Sequence, residues 1–435
     1  MRGLALAGAW TTVVVATILM VYPELLHGGT RASPFARALH PITRLPIHGP
    51  AFVEAAALTP TSFQSRGTPE HRGVANSSID AEGLLLAFEH RGENVGIHDA
   101  SKASPAVDAS GIYVGFDTGR IVAFDHQGNR RWQFAVAQAT RGVHATAALD
   151  GERLYLGAYN GTLYALDKRT GAVAWVVRLG DTIGSSVTIV DDALYVAVET
   201  FAPPDGFVAK LDRRTGRVRW LSGWLGEQAH STPTVDRANG LVFVGANNRT
   251  VRALSVVDGT TRWQITTDGA VKGTLALTAG VLYFGTMGGT LHAVEATTGT
   301  IRWRRPLGGR TRSSATIVPT SGRDSQLVVI GADDGSLTAF EPIRGEVRWS
   351  LATSHRPYPG SATAVRDPVR GWLVLAPCAA KTLCAIEAGT GAVVRRFALE
   401  ADLTGAATVW DRSVYLVSDR GGGLARLAPR TFAAP

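Results

Sequence analysis

Leu154–Trp175 reads LYLGAYNGTLYALDKRTGAVAW. An alternating apolar run leads into an Asn-Gly turn, a second alternating run ends at Asp167, and a Thr-Gly turn leads to a third run that ends at Trp175. Period-two alternation interrupted by Gly, Asn and Asp predicts strand, hairpin, strand, turn, strand. The same unit returns as IYVGFDTGRIVAFDHQGNRRW (112–132), LYFGTMGGTLHAVEATTGTIRW (282–303) and LVVIGADDGSLTAFEPIRGEVRW (327–349). Upstream of each copy lies a shorter run of small residues, such as His230–Asp236 (HSTPTVD), which predicts a fourth strand.

The recurring tryptophans are Trp132, Trp175, Trp220, Trp263, Trp303 and Trp349, at spacings of 43, 45, 43, 40 and 46 residues. A period near 44 with four strands per unit predicts the blades of a propeller, not a helical solenoid. One blade cannot bury both of its faces, so blades pack face to face around a ring. Each Trp is assigned to docking against the next blade, and Arg395 stands in that slot in the seventh copy.

Seven copies run from Lys102 to Leu399, and a shortened one follows at 406–427 that lacks its outer strand. The missing piece lies at the other end of the chain. GLLLAFEHRGENVG (83–96) aligns without gaps on GRIVAFDHQGNRRW (119–132). The expected fold is therefore all-β: an eight-bladed β-propeller of four-stranded antiparallel blades, closed by pairing of its N- and C-terminal strands. Whether the amino end supplies one strand or two stays open. Composition agrees with many short strands and tight turns, with 49 Gly, 10 Trp, 45% apolar and 18% charged residues. The net charge of +8 is spread along the chain. No nucleic-acid-binding motif accompanies it, so no nucleic-acid partner is expected.

The tract Ala-x-Asp-x-x-Thr-Gly-x-x-x-Trp at Ala165–Trp175 has near matches at Ala209–Trp220 and Ala293–Trp303. It resembles the repeat of the pyrroloquinoline-quinone (PQQ) propeller family over about 80% of the chain. That family mixes dehydrogenases with non-catalytic scaffolds, so the resemblance implies fold more than chemistry. Blade count and length resemble the propeller subunit of the machinery that assembles β-barrels in bacterial outer membranes more than they resemble the dehydrogenases. That subunit is a lipoprotein, and no lipidated Cys is found here. In the dehydrogenases the resemblance implies a vicinal Cys pair, an Asp base and calcium around the quinone. The two cysteines here, Cys378 and Cys384, are not adjacent, and no cofactor is expected. They match positions facing each other across a hairpin, which predicts a disulfide and an oxidising compartment. A zinc or other metal site is not expected, because no second ligand pair completes it.

Leu4–Tyr22 carries no charge. As a helix it would span about 28 Å, close to the hydrocarbon core of a bilayer. We read residues 1–23 as an uncleaved signal anchor, 24–70 as a linker and 71–435 as the propeller, membrane-tethered, extracytoplasmic (periplasmic) and monomeric. The arginines after the segment (Arg31, Arg37 and Arg44) oppose that orientation by the positive-inside count, which a large domain overrides.

Aligning the inner strands places one residue per blade at the channel mouth: Lys102, His144, Gly184, His230, Lys272, Arg312, Pro359 and Thr404. The basic and titratable members, Lys102, His144, His230, Lys272 and Arg312, are candidates for binding an anion. Asp99, Asp181, Glu227 and Asp268 lie just upstream as candidate neutralising charges. Phe201, Trp224 and Tyr358 fall outside the repeat frame and are candidate contacts to a protein partner. No nucleophile elbow, phosphate loop or paired acid and base appears. The expected function is a non-catalytic, partner-binding scaffold at the cell envelope. Its rivals are a PQQ-dependent oxidoreductase, which requires an absorbance change on adding PQQ and calcium, and an anion sensor at the channel mouth.

Overall fold

The computed structural model describes residues 63–96, 103–139, 142–320, 326–354 and 360–430. The candidate residues Lys102, Tyr358, Pro359 and Asp99, and the apolar segment Leu4–Tyr22, lie outside them. Among the described residues 33 strands, numbered β1 to β33 in chain order, form eight sheets. Seven copies of the repeat each build one antiparallel blade, from β3 (Ala106–Asp108) to β30 (Val393–Ala398). In each blade an inner strand of three to five residues is followed by three further strands running outward.

The residues of the repeat explain its geometry. Asp167 accepts hydrogen bonds from the backbone N–H of Arg169 and Thr170 and from the Thr170 hydroxyl, which fixes the turn. Gly171 follows at φ +73°, and a Cβ there would come within 2.7 Å of the Trp132 ring of the preceding blade. Trp132 Nε1 then donates to the Lys168 carbonyl at 2.8 Å. Each tryptophan of the series repeats this contact. The rings of Trp175, Trp220, Trp263, Trp303 and Trp349 press on Gly216, Gly259, Gly299, Gly345 and Gly391. Their indole N–H groups donate to the carbonyls of Arg213, Val256, Ala296, Pro342 and Ala388. Burying one such ring removes about 150–250 Å² from water, an upper bound of about 4–6 kcal/mol.

Around the channel, neighbouring blades are also tied by threonines. Thr188, Thr234, Thr316, Thr363 and Thr408 each donate a hydroxyl to a carbonyl of the next blade, at 2.6–2.8 Å.

The ring does close through its two chain ends, but Leu84–Glu89, which aligns on the third strand of blade 1 (Arg120–Phe124), takes the place of an outer strand. Strand β2 (Leu84–Glu89) pairs antiparallel with β33 (Leu424–Pro429), Leu84 opposite Pro429 and Glu89 opposite Ala425, as the outer strand of blade 8. Here His90 takes the tryptophan's part, its Nε2 lying 2.8 Å from the Gly128 carbonyl of blade 1. A buried clasp completes the junction. Asp117 accepts the N–H groups of Val95 and Gly96, while Asn94 bonds Asp117 N–H on one side and the Ser418 carbonyl on the other. The amino end therefore gives the closing blade one strand. The other, β1 (Val74–Ser78), pairs parallel with β27 (Thr363–Asp367), the inner strand of blade 7, and makes that sheet five-stranded.

Residues 63–70, read from the sequence as the end of a linker, run instead along the inside of the channel as part of a belt, 63–73. The inner strands expose one N–H each at equivalent positions, and the belt takes up six of them. Phe63 accepts from Leu149, the Gln64 side chain from Ile189, and the carbonyls of Pro69, Glu70, Arg72 and Gly73 from Val235, Leu277, Ile317 and Ala364. Five of the six acceptors are backbone carbonyls, which explains why the segment shows no side-chain periodicity. His71 is its anchor, wholly buried, with Nδ1 2.8 Å from the Ser65 carbonyl oxygen and Nε2 3.0 Å from Thr188 Oγ1. The belt passes blades 2 to 7 near the lower end of the channel. Beside it, at blades 7, 8 and 1, remains a cavity of about 660 Å³ lined by Phe63, Val74, Val107, Val409 and Trp410 among others.

Candidate functional site

The blade-to-blade loops and the hairpins between second and third strands share one face, here termed the upper face. Its centre is the channel mouth, where each inner strand begins. Of the eight aligned mouth positions, the six within the described residues do converge. His144, Gly184, His230, Lys272, Arg312 and Thr404 line one hollow of about 60 Å³.

The belt supplies the floor of this hollow through Ser65 and Arg66. Neither was legible as a site residue, because both sit in a stretch with no repeat to align. Arg66 donates to the Ala315 carbonyl at 2.7 Å and to Thr316 Oγ1 at 2.8 Å. Burial lowers its pKa to about 10. Lys272 is also pushed below the ordinary lysine value, first by burial and then by Arg312, with Glu199 pulling the other way.

The carboxylates that meet these cations are not the ones expected. His230 Nδ1 lies 2.8 Å from Glu199 Oε1, and Glu199 is buried. Asp333 Oδ2 lies 2.9 Å from Arg310 Nε and 3.7 Å from Arg312. Both carboxylates come from the ends of second strands, where no alignment of inner strands would find them. Asp181, Glu227 and Asp268 instead bond locally in the blade-to-blade loops. Asp181 accepts the Phe201 N–H, Glu227 the Gln228 N–H, and Asp268 the hydroxyls of Thr286 and Thr290.

One turn below the mouth lies a ring of hydroxyls. Thr146, Ser186, Thr232, Ser314 and Ser361 accept, in turn, the backbone N–H of Ser104, Thr146, Ser186, Thr274 and Ser314 from the preceding blade. The sequence shows these as the small-residue run before each inner strand, and their shared direction around the ring is visible only in three dimensions.

Outward from the mouth, the hairpin of β12 (Ala193–Phe201) and β13 (Pro204–Asp212) has nine-residue strands where blade 1 has five. Phe201 sits at its tip, 43% exposed. Trp224 is half-buried, its ring edge-on to Phe207 at 5.7 Å and its carbonyl accepting from Arg252. The other nine-residue strand of this kind, β28 (Gly371–Ala379), carries Cys378, which is disulfide-bonded to Cys384 with Cα atoms 5.8 Å apart. Cys384 sits opposite Ala376, so the bridge is diagonal, not directly across the hairpin, and the matching positions Ala332 and Thr338 of blade 6 are diagonal in the same way, Thr338 lying opposite Ile330.

A quinone with calcium does not fit this mouth. Pockets for cofactor-sized ligands occupy about 300–1,000 Å³, against the 60 Å³ found. Among the described residues no group of three His, Cys, Asp or Glu side chains is placed to hold a metal ion. Nor is any helix among them long and apolar enough to cross a membrane.

Comparison with known proteins agrees with the architecture. The crystal structure of BamB from Moraxella catarrhalis superposes with a TM-score of 0.62 at 21% identity, covering 81% of this chain and 99% of that one. The quinohemoprotein alcohol dehydrogenase of Comamonas testosteroni gives 0.69 at 15% identity, covering 84% and 79%. At such identities the likeness concerns the fold alone. In sequence, outer membrane protein assembly factor BamB of Shewanella oneidensis is 24% identical over 172 residues, 36% of this chain and 40% of that protein. The protein of the same name from Salmonella typhimurium is 28% identical over 167 residues, with the same coverage. The matched stretch thus spans about 40% of these relatives. The family model described as outer membrane protein assembly factor BamB matches residues 117–271 and 247–431. By that match, which takes in most of the eight blades, the chain belongs to the outer membrane protein assembly factor BamB family.

Proposed function

We propose that this chain is a non-catalytic scaffold that holds a protein partner at the cell envelope, as a periplasmic subunit of outer-membrane protein assembly. The Leu4–Tyr22 segment is its membrane tether in this reading. The observation that carries it is the β12–β13 hairpin, the one hairpin among the described residues built of two nine-residue strands, which presents Phe201 at its tip. An exposed aromatic ring on a rigid two-stranded arm is the kind of anchor around which protein interfaces concentrate their binding energy. Asp181 fixes the tip by accepting the Phe201 N–H at 2.9 Å, so the ring is displayed with little ordering left to do on binding.

The test is co-purification of the full chain from envelope extracts, with components of the β-barrel assembly machinery identified by mass spectrometry. Phe201→Asp is expected to reduce their recovery at least fivefold while leaving the melting temperature within about 1 °C, since exposed substitutions change stability little. Recovery of none of these components by the unaltered chain, or equal recovery by the variant, would refute the assignment.

A further inference from the structure

The belt is incomplete. Six inner strands give the N–H of their second residue to it, and two blades are left out. Val107 of blade 1 and Val409 of blade 8 hold the same place in their strands, opposite Ile112 and Val414 as Leu149 stands opposite Leu154. Alternation along an antiparallel ladder turns the main chain of such residues away from the second strand and into the channel. No belt or loop group among the described residues accepts from either N–H. Val107 is buried all the same, at 2% exposure, and a buried backbone N–H in a folded chain is almost always paired. Both ends of the belt border the gap, since Phe63 and Gly73 line the cavity of about 660 Å³ together with Val107 and Val409. Neither end crosses it. Phe63 lies antiparallel to β7 (Ala148–Asp150) and exchanges two hydrogen bonds with Leu149, while beyond Gly73 the chain turns along blade 7 as β1.

We propose that this gap in the belt binds an extended, uncharged peptide segment of a partner protein, which pairs with Val107 as Phe63 pairs with Leu149. The covered inner strands state the chemistry, because five of the six give their N–H to main-chain carbonyls of the belt. Strand addition of this kind takes its affinity from main-chain hydrogen bonds and its selectivity from the side-chain pockets beside them. The belt uses about two residues per blade, so two open blades take about four, or about 13 Å of chain at about 3.3 Å per residue. The cavity volume falls in the range of about 300–1,000 Å³ that formed ligand sites occupy. Its described walls carry two cations, Arg66 and Lys168, and two carboxylates, Asp108 and Asp411, with Lys168 paired to Asp108. That balance favours a segment without net charge, and Val74, Val409 and Trp410 favour small apolar side chains on it. The site rests on the belt and the channel alone, and stands whether or not the Phe201 arm holds a partner.

The test is an NMR titration of the full chain, isotope-labelled at valine, with a capped Ser-Val-Ala-Val-Ser peptide. The amide resonances of Val107 and Val409 are expected to shift saturably, and the Val107 amide to exchange with solvent at least tenfold more slowly once the peptide is bound. Val107→Pro removes the donor and is tolerated, because that N–H takes no part in the ladder. Ala109→Trp, at an exposed position of the cavity wall, fills the space instead. Each variant is expected to weaken the binding, read at Val409, at least fivefold. Circular dichroism melts establish that the variants fold, and should Val107→Pro not fold, Ala109→Trp decides. Absence of a saturable shift in the unaltered chain, or equal binding by the folded variants, overturns the proposal. So does a Val107 amide that is already protected in the free chain and indifferent to the peptide, which would give the gap to the chain's own residues.

Discussion

Two residues show how much of this ring rests on single positions. Gly171 serves both its own turn, at φ +73°, and the Trp132 ring that would lie 2.7 Å from a Cβ. Gly171→Ala therefore meets backbone strain and overpacking together, and should cost about 2–3 kcal/mol in urea unfolding. His71 acts through pH. Burial lowers its pKa to about 4, with Arg66 adding to the effect and Glu70 and the carbonyls of Ser65 and Pro233 opposing it. The unfolded chain, titrating near 6.5, takes up a proton that the folded chain refuses. The contribution of neutral His71 is thus complete above pH 6.5 and lost as the pH falls toward 4. Its size is on the order of 3 kcal/mol. Denaturant midpoints measured from pH 7.5 to 4 should fall in the unaltered chain and fall less in His71→Gln. Equal slopes in the two chains would place the titration elsewhere. Gly171 was readable from the repeat, because its neighbours in the chain dictate its turn. His71 was not, because its partners Thr188 and Pro233 lie more than a hundred residues away.

At the scale of elements, strand β2 and the belt are both contributed by the amino end, and they differ in legibility for a physical reason. Strand β2 was legible because Leu84–Glu89 reads like Arg120–Asp125, the third strand of blade 1, although it serves as an outer strand. The belt replaces nothing in the repeat. It satisfies inner-strand N–H groups with carbonyls, which every residue possesses, and leaves no mark in composition. The carboxylates Glu199 and Asp333 were hidden for a related reason, since they sit where blades depart from one another. Deleting residues 1–89 removes belt, β1 and β2 together and bares the edge of β33. An unpaired strand edge of this length invites pairing with another chain. The truncated protein is expected to elute as dimers or larger species on size exclusion, and to melt at least 10 °C below the intact chain. A monomer with unchanged melting would show that the ring closes without its amino end.

For the whole molecule, the blade count was readable because six of the eight blade junctions repeat the same contacts, a Trp on a Gly and an indole N–H on a carbonyl of the next blade. A fold assembled from one repeated interface declares itself in sequence as a period. The proposed function rests where the period breaks, at the long β12–β13 arm, and there a single sequence supplies fewer clues. The belt also carries a temporal consequence. Residues 63–73 leave the ribosome before any blade, yet the groups that hold them extend from Leu149 to Ala364. The belt can reach its final place only when blades 2 to 7 exist. Synthesis and maturation are thereby decoupled: a nascent chain arrested halfway has no complete seat for residues 63–73, and their placement waits on the making of blade 7.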